Sequence, residues 1–422
     1  MSNSHTTTTQ RPLFFQRVSQ FSSAVSAVNA TSRTGNHGSI VGATLLSVIQ
    51  SKAERRAARY GPHDTYSPVD NLKLEAGKEG DVCVKKSLRS GNLFVVKHSV
   101  YRRATAVTRA AHDGQRKSKL PTEAVILKNF VKPHPNIVVL HAYVEDRVER
   151  GRFYIYMDAC TGGDLFDQMS HWDKRKQSTP KLFLYHAIVQ ISDAFAFLHH
   201  GLRHTTGGCF TQDEAHHAIV HGDVKYENIL LDWSRTSVNG LPELVIGDFG
   251  HAKLLSDPEP RVDSGTEAWF DPETKALWEA YGPVGQDHRL TTDEKLKVYY
   301  EIGKKRSLAG DVYSLGLVFK TMATESPIDS FPAWSVGQDE ELLALSREDG
   351  LRDLVYGCLR VDPDKRVTMG FDDGAKKGIM GAVNRLRALR DRMVVEEVTL
   401  DPTEWFRRPA PVPAQDTRPE ID

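Results

Sequence analysis

The spacing of apolar positions changes twice along this chain. Residues 1–66 show no sustained period: Ser, Thr, Asn and Gln dominate, no acidic residue precedes Glu54, and Arg11, Arg17, Arg33 and Lys52 are positive. Such a stretch buries too little apolar surface to offset the ordering of its backbone, so a disordered Ser/Thr-rich segment is expected. A second reading is a mitochondrial transit peptide, since those are Ser- and Arg-rich and acid-poor; Leu13, Phe14, Arg17, Val18 and Phe21 can form a short amphipathic turn. From about Leu72, β-rich runs follow at Asp81 to Lys85, Leu93 to Lys97, Ile137 to Tyr143 and Arg152 to Met157, bounded by glycines and charged turns. One helical segment, Thr122 to Val131, interrupts them. Beyond Gly162 the spacing becomes mainly helical. Thr179 and Pro180 suggest a helix start, hydroxyl as N-cap and proline at the first helical position. Leu184, Ile188, Ile191, Phe195 and Leu198 then recur at helical spacing.

A small β-rich lobe followed by a larger helical lobe is a two-lobed α+β arrangement. The expected boundaries are a segment at 1–66, lobes at 67–160 and 161–388, and a proline-containing tail at 389–422. The last helix, Lys376 to Met393, carries Arg385, Arg387, Arg390 and Arg392, a stripe expected to be a solvated face, with docking as the alternative.

Composition changes this picture little. The 422 residues contain 55 Lys+Arg and 55 Asp+Glu, so bulk charge argues for neither nucleic acid nor a membrane surface. Cys83, Cys160, Cys209 and Cys358 lie too far apart for a disulfide framework or a paired metal motif. A reducing compartment follows, the cytoplasm first, then the nucleus, with mitochondrial import as the minor alternative. The most apolar run, Ile40 to Ile49, falls short of the ~20 residues of a spanning helix. Oligomeric state leaves no mark in the sequence.

Four short segments carry candidate chemistry. Leu74 to Val82 holds Gly77 and Gly80 between strand-like runs, either a tight turn or a loop whose backbone N–H groups approach phosphates. Lys97 ends an apolar run, Phe94-Val95-Val96, seventeen residues after Gly80, a spacing that suits a hairpin bringing it under that loop. The others are His221-Gly222-Asp223-Val224-Lys225-Tyr226-Glu227-Asn228 and Gly247-Asp248-Phe249-Gly250, each an acid at a turn beside a strand-like run. A lone Asp-Phe-Gly is a common turn; the order and separation of all four raise their weight.

In that order they resemble the eukaryotic protein kinase superfamily, serine/threonine type, with a fungal-like His-Gly-Asp catalytic loop. The resemblance runs from about Leu72 to Ala388 and is carried further by Glu123, His134-Pro135-Asn136, Met157 to Leu165, Gly265-Thr266, Asp271-Pro272-Glu273, Asp311 to Gly316 and Cys358 to Arg366. It implies a two-lobed kinase fold and transfer of the γ-phosphoryl of ATP, with Mg2+, to Ser/Thr hydroxyls of protein substrates. Carried over by position, Gly77, Gly80 and Val82 would cover the phosphates; Lys97, held by Glu123, would bind them; Asp248 and Asn228 would ligate magnesium. Asp223 would take the hydroxyl proton and Lys225 would stabilise the transferred charge. Met157 would be the gatekeeper, the backbone of Asp158 and Cys160 would meet adenine, and Asp164 the ribose. Val82, Val95, Leu165 and Leu230 would sandwich the base. Leu127, Leu140, Phe249 and His221 would form a buried spine on Asp311, and Glu273 with Arg366 a buried brace.

The departures frame an alternative function. Glu75 stands in place of a glycine, Pro121 lies two residues before Glu123 and could delay that helix, and Asp271 replaces an alanine. They motivate a pseudokinase, an ATP-binding scaffold without turnover. Gly222 replaces an arginine that ordinarily pairs with a phosphorylated activation loop, so activity without such phosphorylation is expected. Insertions are expected at 100–120, 201–220 and 274–307. The second holds His204, Cys209, His216 and His217, which raises zinc, though a flexible loop suits the spacing better.

Overall fold

The computed structural model describes residues 66–68, 82–87, 93–100, 121–145, 152–205, 208–236, 240–257, 265–281, 292–324, 345–396, 398 and 400–406. The expectations for residues 1–65, for Glu75, Gly77 and Gly80 and for the 100–120 insertion beyond Val100 lie outside them.

The small lobe is an antiparallel sheet of β1 (Tyr66–Pro68), β2 (Val82–Ser87), β3 (Leu93–Val100), β4 (Leu140–Glu145) and β5 (Arg152–Asp158), ordered β1-β2-β3-β5-β4, with helix α1 (Thr122–Asn129) between β3 and β4. The two-residue period of β3 places Phe94 and Val96 in an apolar cluster with Tyr156 and turns Val95 and Lys97 to the opposite face. Pro121 is the N-cap of α1, with φ −54° and ψ 142°, so the helix starts at Thr122 and Glu123 falls in its first turn.

The large lobe holds α2 (Leu165–Lys174), α3 (Lys181–His200), a hairpin of β6 (Leu202–His204) and β7 (Phe210–Gln212), then β8 (Ile219–Val220), β9 (Ile229–Thr236), β10 (Pro242–Ile246) and β11 (Lys253–Leu254). There follow α4 (Pro272–Ala280), α5 (Thr292–Lys305), α6 (Leu308–Ala323), α7 (Leu351–Cys358) and α8 (Met380–Val395). Two antiparallel pairs, β8 with β11 and β9 with β10, hold the loops at 221–228 and 247–252 side by side. Helix α3 is their floor. It is long and apolar enough to cross a bilayer by length and composition, but 94% of that stretch is buried inside the fold, as befits a core helix.

Several expectations change. Pro180, with ψ 131°, is itself the N-cap of α3, and the Thr179 hydroxyl turns to the Met169 sulfur at 3.5 Å instead of capping. The 201–220 segment is not an irregular loop: its strands pair Leu202 with Gln212 and His204 with Phe210. The arginine stripe is not all solvated, because Arg387 makes a two-pronged pair with Asp193 of α3 at 2.8 and 3.0 Å and Arg390 is buried. The expected boundary at 388 falls within α8, and the described fold continues to residue 406. Trp405 is buried against Trp172, Phe183 and Trp233 at ring distances of 5.9, 5.3 and 5.0 Å. Gln168 fixes the flanking backbone, donating to the Glu404 carbonyl and accepting from Phe406 N–H.

Candidate active site

Strand register sets the first half of the site. Val82 pairs opposite Lys97, and Val95 opposite Met157. Lys97 is buried; its Nζ lies 3.1 Å from Glu123 Oε2 and 2.7 Å from Asp248 Oδ1. The other Glu123 oxygen accepts from the Phe249 N–H at 3.1 Å. One carboxylate thus ties β3, α1 and the Asp-Phe-Gly turn together, and Pro121 does not displace it. Asp248 sits in the left-handed region at φ 55°, with its carboxylate accepting from Gly250 N–H. Such backbone costs about 1–3 kcal/mol and persists where its surroundings over-determine it.

The second half is built on Asp311, in the first turn of α6. Its carboxylate accepts from the N–H groups of His221 and Gly222 at 2.7 and 2.9 Å and from His199 at 3.2 Å. Burial alone would push this carboxyl up; those donors overcome it and hold it below the usual range. His221 is fully buried, its Nε2 facing the Gly247 carbonyl and its Nδ1 accepting from Asp223 N–H, so the ring is neutral and uses both nitrogens structurally. Its ring stands 5.0 Å from Phe249, and Leu127, Leu140 and Phe249 are buried with it, as the spine requires.

Asp223 is buried, and both of its oxygens accept hydrogen bonds. Oδ1 accepts from Thr266 N–H at 2.8 Å; Oδ2 meets Lys225 Nζ at 2.7 Å and Asn228 Nδ2 at 3.1 Å. Burial raises its pKa, but the Lys225 ammonium, His251 and the hydrogen bonds outweigh this and hold it well below the ordinary carboxylate value. Lys225 also donates to the Thr266 hydroxyl at 2.7 Å; burial lowers this ammonium, and the attraction of Asp223 more than restores it. The Asn228 amide nitrogen is committed to Asp223, which leaves its amide oxygen for a ligand. Among the described residues no donor meets Asp248 Oδ2, on a carboxylate about a quarter exposed. Oxygen donors of this kind suit a hard cation such as Mg2+.

The nucleotide-contact candidates are placed unevenly. Gly77 and Gly80 lie outside the described residues. Asp164 caps α2, accepting from Asp167 N–H at 2.8 Å, and bridges to Leu230 of β9. Asp158 donates its N–H to the Val139 carbonyl, and its carboxylate accepts from Val139 N–H at 3.3 Å and meets His141 Nε2 at 2.6 Å. Cys160 is half-buried, whereas Leu165, expected against the base, is fully buried and offers no surface to it. Asp271, where the family has alanine, caps α4 through Thr274 N–H and hydroxyl, both at 2.8 Å. Arg366 grips Glu273 with two bonds of 2.8 and 3.0 Å; the arginine is buried but the glutamate is about a third exposed, so the brace is only half-buried. His204, Cys209, His216 and His217 are not brought together, and no metal-holding cluster occurs among the described residues. His216 serves the Leu198 carbonyl, and the His204 and His217 rings meet Phe210 and Phe130.

A model of the protein kinase domain family matches residues 70–283, just over half of the 422 residues. The chain belongs to the protein kinase family. MAP kinase kinase kinase wis4 of Schizosaccharomyces pombe is 26% identical over 309 residues, 69% of this chain and 18% of wis4. Serine/threonine-protein kinase Nek2 of Homo sapiens is 26% identical over 243 residues, 57% of this chain and 43% of Nek2. Serine/threonine-protein kinase SSK22 of Saccharomyces cerevisiae is 30% identical over 193 residues, 45% of this chain and 12% of SSK22. The chain spans less than half the length of each of these relatives. Sequence reasoning did not single out Lys253, three residues past the Asp-Phe-Gly turn, or Arg306, the last residue of the basic run Lys304-Lys305-Arg306.

Proposed function

We propose that this kinase-family chain is catalytically active, transferring the γ-phosphoryl of Mg-ATP to Ser and Thr hydroxyls of protein substrates. The observation that carries the reading is the Asp223 carboxylate, held by Lys225, Asn228 and the Thr266 N–H at 2.7 to 3.1 Å. Bound Mg-ATP supplies a transferable phosphoryl group whose charge the metal partly neutralises. Asp223 stays ionised and orients the incoming hydroxyl, accepting its proton as the bond forms. Lys225, charged beside it, stabilises negative charge developing on the transferred group. Lys97, fixed by Glu123, positions the phosphates, and Asp248 with Asn228 would hold the metal through their oxygens. Serine and threonine fit this reading because, by the family resemblance, a lysine at position 225 and a threonine at 266 go with serine/threonine substrates, and here Lys225 donates to the Thr266 hydroxyl at 2.7 Å beside Asp223.

The test is transfer of labelled γ-phosphate from Mg-ATP to a Ser/Thr/Tyr peptide library by the parent and by Asp223→Ala. Incorporation on Ser and Thr that falls by roughly 10²- to 10⁴-fold in the variant is the expected result. ATP binding without transfer by either protein would favour a scaffold function.

A further inference from the structure

Gly222 leaves no room for a side chain. It has φ 79°, and a Cβ there would lie 2.6 Å from the His251 carbonyl oxygen. The end of the activation segment, Gly265 to Glu273, returns to the same point: a Cβ on Gly265, at φ 86°, would lie 2.5 Å from the Gly222 carbonyl and 3.2 Å from Asp223 Oδ1. Two glycine backbones therefore meet beside the catalytic carboxylate, and neither contributes a side chain to hold the other.

Positive charge reaches this point from the inserted segment. Arg306 directly follows α5 and is buried; its guanidinium stands 5.4 Å over the Phe270 ring, with Nη1 3.6 Å from the same Gly265 Cβ position. Lys253, at the start of β11, donates to the carbonyls of Gly303 at 3.1 Å and Lys304 at 2.6 Å. Those carbonyls belong to the last turn of α5, where a helix leaves acceptors unmatched and its dipole is negative. Lys253 is also paired across the sheet with Val220, next to His221. Burial, with Arg306 nearby, lowers its ammonium to about 8 against the pull of Asp311.

We propose that α5 and Arg306 are a built-in brace of the activation segment: Lys253 plugs into the α5 C-terminus, and Arg306 holds Gly265 and Phe270 against Gly222, so that Thr266 stays on Asp223 without a phosphate added to the segment. Lys253 and Arg306 are positioning residues, acting through Thr266 and Asp223. The proposal rests on the reading of the chain as an active kinase.

The test uses the full chain treated with phosphatase, as parent, Lys253→Met, Arg306→Gln and Arg306→Lys. Peptide phosphorylation gives kcat and both KM values. Hydrogen exchange is followed in residues 252–257 and 265–271, with Asp223→Ala as the catalytically dead reference. The expected result is a parent that keeps its rate after dephosphorylation, and a fall in kcat of roughly ten- to hundredfold for Lys253→Met and Arg306→Gln. The KM for ATP should stay within about twofold, and Arg306→Lys should recover part of the rate, a split that general loss of folding would not give. Exchange should quicken in both segments of Lys253→Met but stay slow in Asp223→Ala outside its own contacts. Unchanged kcat and exchange in both variants, or a parent silenced by phosphatase, would overturn the brace. A parent with no transfer at all would sink the kinase reading alone, and the exchange measurement would still decide the brace.

Discussion

The two inserted segments of the large lobe solve different problems. The β6–β7 hairpin lies behind the site and leans on the small lobe. Arg203 donates to the Pro133 carbonyl at 2.6 Å and covers the Phe197 ring at 4.0 Å, Asp213 pairs with Lys132, and His217 meets Phe130, the C-cap of α1. Helix α5 lies on the other side and touches the activation segment through a buried ammonium and the arginine that follows it. The hairpin thus shares its hold among neutral, aromatic and surface-ionic contacts, of which the half-exposed Lys132 pair contributes little. The helix concentrates its hold on Lys253. Distributed support tolerates single losses; concentrated support does not.

The largest effect that could break this comparison is at the residue tying α1 to the Asp-Phe-Gly turn. Glu123→Gln should lower kcat/KM in peptide phosphorylation by about two orders of magnitude, since it loosens Lys97 and Phe249 together. A variant within threefold of the parent would mean that α1 positions nothing, and the hairpin behind it would lose its purpose. Next come single hairpin losses. Arg203→Ala and Phe130→Ala should each cost only about two- to fivefold in kcat/KM, and the double variant more than their product, because both steady the end of α1. Strict additivity in a double-mutant cycle would show that the two contacts are independent.

A smaller effect sharpens what the hairpin rests on. Asp193→Asn weakens the two-pronged pair with Arg387, whose guanidinium stands 6.0 Å from the Phe210 ring of β7. A loss of roughly 1.5–3 kcal/mol in chemical denaturation is expected, with kcat nearly unchanged. Equal loss of kcat and stability would join the hairpin's footing to catalysis. The smallest perturbation is labelling. Cys209, exposed in the hairpin connection, should alkylate in the native protein without loss of activity. Cys358, whose burial pushes its thiol up to about 12, should react only on unfolding. Native modification of Cys358 in a mass-spectrometric time course would refute its burial.

Most of the candidate site was legible because its parts are short and local. Lys97, Asp223, Lys225, Asn228 and Asp248 each sit in a run of a few residues whose order along the chain carries the resemblance. Glu123 was legible despite Pro121, since proline is tolerated where a helix begins and has no need of its N–H. The α3 start was misplaced by one residue because Thr-Pro fits either a capped helix or an extended Pro180, and the nearby Met169 sulfur decided between them. The hairpin was invisible because three-residue strands are too short to show a period. Trp405 looked like tail because its partners, Trp172, Phe183 and Trp233, lie far back in the sequence.

The sequence by itself determined the two-lobed α+β architecture, the membership of the kinase family and the identity of the acids and lysines at the candidate site, because periodicity and short motifs are properties of neighbouring residues. Only the tertiary structure decided which oxygen of Glu123 serves Lys97 and which serves Phe249, that two glycines meet beside Asp223, and that the end of an inserted helix receives Lys253. Those are contacts between residues tens to more than a hundred positions apart. Their partners are chosen by packing and by the need to satisfy buried charge, which no local pattern records.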